Sequence, residues 1–108
     1  EETDYKILKQ IAQDPSQSQR QLAGNLGISL GKANYCLQAL IQKGWLKAQR
    51  FHNSNNKLAY LYQLTPEGLH AKSKLTIHFL NRKIEEDEIL RIEIEALKQE
   101  AEILAKNK

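Results

Sequence analysis

Gly31, Tyr35, Gln38 and Gln42, flanked by Lys32 and Asn34, recur at intervals that bring them to one side of a single helical segment. These residue types recognise nucleic acid. Amides pair with the edge of adenine, lysine with guanine or a phosphate, and tyrosine with backbone or the apolar surface of a base. A face that merely met water would carry Glu–Lys pairs at helical spacing; here no acidic residue occurs from Asn25 through Ser54. Ser29 and Gly31, small residues at the start of the segment, let it approach a partner closely. Catalytic chemistry has no comparable constellation. His52, His70 and His78 lack metal-ligand spacing, Cys36 is the only cysteine and lies far from any such cluster, and no phosphate-binding glycine loop or nucleophile motif is present. The reading is a binding protein and not an enzyme, with no cofactor and no metal site expected.

The elements that must position this face are marked by their ends. Ser18 and Gln21 have the capping-box spacing, Leu22, Ala23 and Leu26 follow on one face, and Gly27 stops the helix. Ser29 caps a second helix with an apolar set of Leu30, Ala33, Cys36, Leu37, Leu40 and Ile41, ended by Gly44. Two such helices across a glycine-containing turn form a helix-turn-helix. Ahead of them, Asp4 to Gln13 reads as a supporting helix, with Tyr5, Leu8, Ile11 and Ala12 facing inward, until Asp14-Pro15-Ser16 breaks it. Gln19 and Arg20, at the start of the first helix of the motif, are candidate phosphate contacts, because helix N-termini attract anions. The single cysteine, Cys36, lies on the buried side and is read as a small apolar core residue.

After Gly44 the period changes. Trp45 to Phe51 and Leu58 to Leu64 have strand character, and the polar loop His52 to Lys57 joins them as a hairpin. A hairpin directly after a helix-turn-helix is a wing. Arg50, Lys57 and the asparagines at the tip, Asn55 and Asn56, are placed to reach the adjacent minor groove or its phosphates. Trp45 is expected to pack in or near the core.

Thr65, Pro66 and Glu67 then make a strong helix start, and nothing breaks the helix before about Lys106. At about 1.5 Å per residue the rod would run roughly 60 Å, too long to bury on a domain of this size. Ile77, Leu80 and Ile84 share one face, expected to pack on the globular domain. Farther on, Leu90, Leu97 and Leu104 recur every seven residues, interleaved with Ile94 and Ala101 and flanked by Ile89, Ala96 and Ile103. The two frames disagree, with a slip across Glu85 to Glu88. The second frame predicts a helix–helix seam of Ile89, Leu90, Ile94, Leu97, Ala101 and Leu104, most simply with a second copy of the chain. The expected organisation is a mainly α protein with a small β-hairpin: a winged helix-turn-helix domain over residues 1–66 and a long C-terminal coiled-coil helix for dimerisation over residues 67–108.

Charge follows this division. Residues 1–65 carry a net +4 and residues 66–108 a net −1, which together give the +3 of the 108-residue chain. A basic front with an acidic tail suits a nucleic-acid-binding domain with a partner-facing extension. No apolar run is long enough to cross a bilayer and no signal-peptide core is present, so no membrane partner and a cytoplasmic location are expected.

The order of helix, helix-turn-helix, GWLKAQRF, polar wing and YLYQLTPEG resembles the winged-helix MarR-type bacterial regulators. ISLGKANYCLQALIQKGWLKA together with LTPEG is similar to the small MarR-family regulators associated with exopolysaccharide gene clusters. The resemblance runs over nearly the full length. It implies a homodimeric transcriptional regulator, most simply a repressor, on a pseudo-palindromic double-stranded operator. It also implies that Ser29, Lys32, Asn34, Tyr35 and Gln38 read DNA while Asn55, Asn56 and Lys57 contact its backbone or minor groove. Two features depart from that pattern. The segment His52 to Leu58 lacks the Asp-x-Arg element of the usual wing, and one long C-terminal helix stands where typical members use an N-terminal helix and two C-terminal ones. The sequence names no small-molecule effector. The competing class is a winged-helix docking module for another protein within a coiled-coil assembly, since fold alone does not fix function.

Overall fold

The helices are set by their ends. A computed structural model describes residues 2–52, 55 and 58–107, in the order α1 (Glu2–Gln13), α2 (Gln19–Leu26), α3 (Leu30–Gln42), β1 (Leu46–His52), β2 (Leu58–Leu64) and α4 (Pro66–Lys106). At the start of α2 the Ser18 hydroxyl accepts from the Gln21 amide at 3.0 Å, and the Gln21 side chain accepts from the Ser18 amide at 2.9 Å. The capping box is therefore complete. Gly27 closes α2 in the left-handed region at φ 66°, which glycine adopts without a Cβ penalty. Ser29 caps α3 by accepting from the Lys32 amide at 3.1 Å. The elements are those expected from the sequence: mostly helix, one antiparallel hairpin and a long C-terminal helix.

The chain divides into two units, Glu1–Leu75 and Thr76–Lys108. In the first, Ile7, Leu8 and Ile11 of α1, Leu22 of α2, Leu37 and Leu40 of α3, Leu46 of β1 and Tyr62 of β2 form one buried cluster. Leu26, Cys36, Ile41, Trp45, Leu64 and Leu75 pack against it, half-buried. Two expectations need correction. The inward face of α1 is Ile7, Leu8 and Ile11, with Tyr5 half-buried and Ala12 exposed. Ala12 lies about 100° around the helix beyond Ile11, which carries it out of the buried arc. Leu30 is 42% exposed; as the first residue of α3 it precedes the turn that packs.

Strands β1 and β2 pair antiparallel from Leu46 opposite Leu64 to His52 opposite Leu58. The Tyr62 amide also donates to the Pro15 carbonyl at 3.2 Å, which ties the hairpin to the α1–α2 link. Gln17 in that link is buried. Its amide donates to the carbonyls of Gln10 (2.9 Å) and Asp14 (3.2 Å) and its oxygen accepts from Asn25 (3.0 Å). The Gln17 side chain thus adds a second donor to the Gln10 carbonyl in the last turn of α1.

The start of α4 is clasped to the end of α3. Thr65 donates its amide to the Trp45 carbonyl at 3.0 Å and its hydroxyl to the Gly44 carbonyl, while that hydroxyl accepts from the Gly68 amide at 3.0 Å. Gly68 is buried, and a Cβ there would lie 1.9 Å from the Trp45 carbonyl oxygen. The glycine of LTPEG is required by this backbone approach.

In the second unit every described residue except Phe79 is exposed. Ile77, Leu80 and Ile84, expected to pack on the domain, are each more than half exposed. Leu75 is the α4 residue that joins the core. Ile89, Leu90, Ile94, Leu97, Ala101 and Leu104 are exposed as well. Short ion pairs, Lys83–Glu86 at 3.1 Å and Arg91–Asp87 at 2.9 Å, fall where the two apolar frames meet.

Candidate nucleic-acid interface

The buried face of α3 fixes what the opposite face presents. Ala33, Leu37 and Leu40 are fully buried. Ser29, Gly31, Lys32, Asn34, Tyr35, Gln38 and Gln42 are consequently exposed, Tyr35 at 75%. The expected residues of the second helix of the motif thus lie together on one solvent face, with Lys32 to one side. A Cβ on Gly31 would meet nothing within 4 Å. The fold gives no reason for glycine there.

Asn34 is less free than its exposure suggests. Its side-chain oxygen accepts from the Gln19 amide at 3.3 Å, and the same amide donates to the Tyr62 hydroxyl at 3.0 Å. Tyr62 stacks on Tyr60 with centroids 6.2 Å apart, and the Arg50 guanidinium lies 5.9 Å from the Tyr60 ring. A continuous chain of contacts therefore links Arg50 on β1, Tyr60 and Tyr62 on β2, Gln19 on α2 and Asn34 on α3. Sequence reasoning treated Gln19 as a phosphate contact and left Tyr60 and Tyr62 unassigned. The signal was the two-residue spacing of Tyr60 and Tyr62, which puts both on one face of the strand.

Arg20 is exposed in the first turn of α2. Asn55 is exposed in the turn of the hairpin, whereas Asn56 and Lys57 lie outside the described residues. Lys43 is engaged elsewhere, 3.6 Å from the Asp4 carboxylate and 4.7 Å over the Trp45 ring. The acid-free interval is wider than the recognition segment: from Pro15 through Pro66 the sequence has six lysines and arginines and no aspartate or glutamate. Among the described residues no three His, Cys, Asp or Glu side chains group as metal ligands, and no helix is long and apolar enough to cross a membrane.

Helix-turn-helix, exposed polar α3 and hairpin define a winged helix-turn-helix protein. Residues 1–47 match the family model described as winged helix-turn-helix DNA-binding. Among solved structures, the chain is similar to the PcaV transcriptional regulator from Streptomyces coelicolor in complex with its natural ligand, at 20% identity and TM-score 0.61, over 72% of this chain and 54% of that one. A MarR protein from Peptoclostridium difficile is 22% identical with TM-score 0.57, over 76% and 52% of the two chains. The adhesin competence repressor AdcR from Streptococcus pyogenes is 18% identical with TM-score 0.66, over 97% and 77%. At these identities the likeness is one of fold, the fold of MarR-type regulators. The chain spans about half the length of PcaV and of the Peptoclostridium MarR protein. No curated protein matches it in sequence.

Proposed function

We propose that the protein is a homodimeric, sequence-specific regulator of transcription of the MarR type, acting as a repressor by occluding its promoter. The observation that carries this reading is the solvent face of α3, where amides, a tyrosine and a lysine surround a glycine the fold does not need. On a winged helix-turn-helix this face enters the major groove. Gly31 allows the close approach, Lys32, Asn34, Tyr35 and Gln38 contact bases, and Ser29 and Arg20 contact the backbone. Arg50, Asn55, Asn56 and Lys57 meet the flanking minor groove or its phosphates. The contact chain from Arg50 to Asn34 holds wing and reading helix in one register.

Dimerisation through Ile89, Leu90, Ile94, Leu97, Ala101 and Leu104 of α4 is supported by their exposure, since an apolar stripe without a partner is marginal in water. A twofold dimer requires half-sites about one helical turn, or a multiple, apart. The resemblance to regulators of exopolysaccharide clusters makes such genes the first targets to try. Footprinting of the full chain on its own upstream region tests the reading. Two protected half-sites related by a twofold axis are expected. Absence of protection there, with no affinity for random duplex in dilute buffer, would transfer the α3 face to a protein partner.

A further inference from the structure

We propose that α4 pairs antiparallel with α4 of a second copy, with Asp87 at the twofold axis. The proposal rests on the homodimer above and specifies its interface. Along α4 the exposed apolar positions Ile77, Leu80, Ile84, Leu90, Ile94 and Leu97 are continued at the same spacing by His70 and Ser73 at one end and by Ala101 and Leu104 at the other. The steps along it read 3, 4, 3, 4, 3 up to Asp87 and 3, 4, 3, 4, 3 after it. The slip that breaks a single heptad frame is thus a mirror point. Reversing a second helix about Asp87 sets Ile77 against Leu97, Leu80 against Ile94 and Ile84 against Leu90, apolar against apolar at these three levels, with Asp87 facing its own copy at the axis.

Charge selects this direction. Residues 70–84 contain Lys72, Lys74, Arg82 and Lys83 and no acid. Residues 90–104 contain Glu93, Glu95, Glu100 and Glu102 against Arg91 and Lys98. A parallel pair would align the cationic segments with each other and the acidic segments with each other. The antiparallel pair sets each cationic segment beside an acidic one, the arrangement Coulomb's law favours.

The same register makes His70 the position opposite Leu104 of the reversed helix.

Disulfide trapping in the full chain, with Cys36→Ser to remove the native thiol, tests the arrangement. Asp87→Cys alone should cross-link to itself. His70→Cys alone and Leu104→Cys alone should not, whereas the two together should give a covalent dimer. Self-linking of Leu104→Cys would establish a parallel pair and overturn the proposal, as would a dimer in which neither Asp87→Cys nor the double variant links. A wild-type sedimentation mass of one chain at micromolar concentration would instead overturn the homodimer itself.

Discussion

Gly31 separates the demands of folding from those of the proposed recognition. A glycine in a helix costs up to about 1 kcal/mol relative to alanine, and nothing packs where its Cβ would be. Gly31→Ala is expected to leave the melting temperature unchanged or raised while weakening operator binding, as read by melting and gel retardation on the same preparation. Lys32→Ala and Gln38→Ala should each cost on the order of 1–3 kcal/mol at the preferred site and relax the choice of base at one position. Competition binding against singly substituted operators checks this, and unchanged affinity and preference in both variants would move the reading face elsewhere. Gln19 offers a test of a positioning residue. Gln19→Ala removes the donor shared by Asn34 and Tyr62, so base preference should loosen while the salt dependence of binding stays unchanged.

At the scale of elements, much was legible because end signals are local. Ser18 with Gln21, Gly27, Ser29 and Thr65-Pro66 each act within a turn of the chain, and the boundaries they imply agree with the structure to within a few residues. The rest is set by tertiary contact. The burial of Ile7 in place of Ala12 depends on the angle at which α1 meets the core. The links from Gln17 to Gln10 and Asn25 cross between elements, that from Gln19 to Tyr62 spans 43 residues, and none has a periodic signature. In the sequence Gly68 stands out only as part of LTPEG, and its reason lies in the Trp45 carbonyl. Gly68→Ala forces that backbone contact apart. Overpacking of this kind typically costs about 1–3 kcal/mol, so the variant should unfold at clearly lower denaturant than wild type, whereas Gly24→Ala, with open space around its Cβ, should not.

At the scale of the whole molecule, the two units divide the work proposed for them. The first presents α3 within an acid-free stretch of sequence, and the second exposes an apolar stripe that calls for a partner. Asp87 interrupts that stripe and is held by Arg91 of its own helix. Asp87→Leu should make the seam continuous and lower the dimer dissociation constant, as measured by sedimentation across a dilution series. Binding to DNA should track dimer formation, because two linked reading heads act on one operator. The most direct measurement is a salt titration of the full chain binding to its upstream fragment and to a random duplex of equal length. Affinity for both is expected in dilute buffer, falling with salt at a logarithmic slope of roughly −0.9 per phosphate contact, with the upstream fragment retained at salt that releases the random one. Negligible affinity for either duplex at low salt would contradict it.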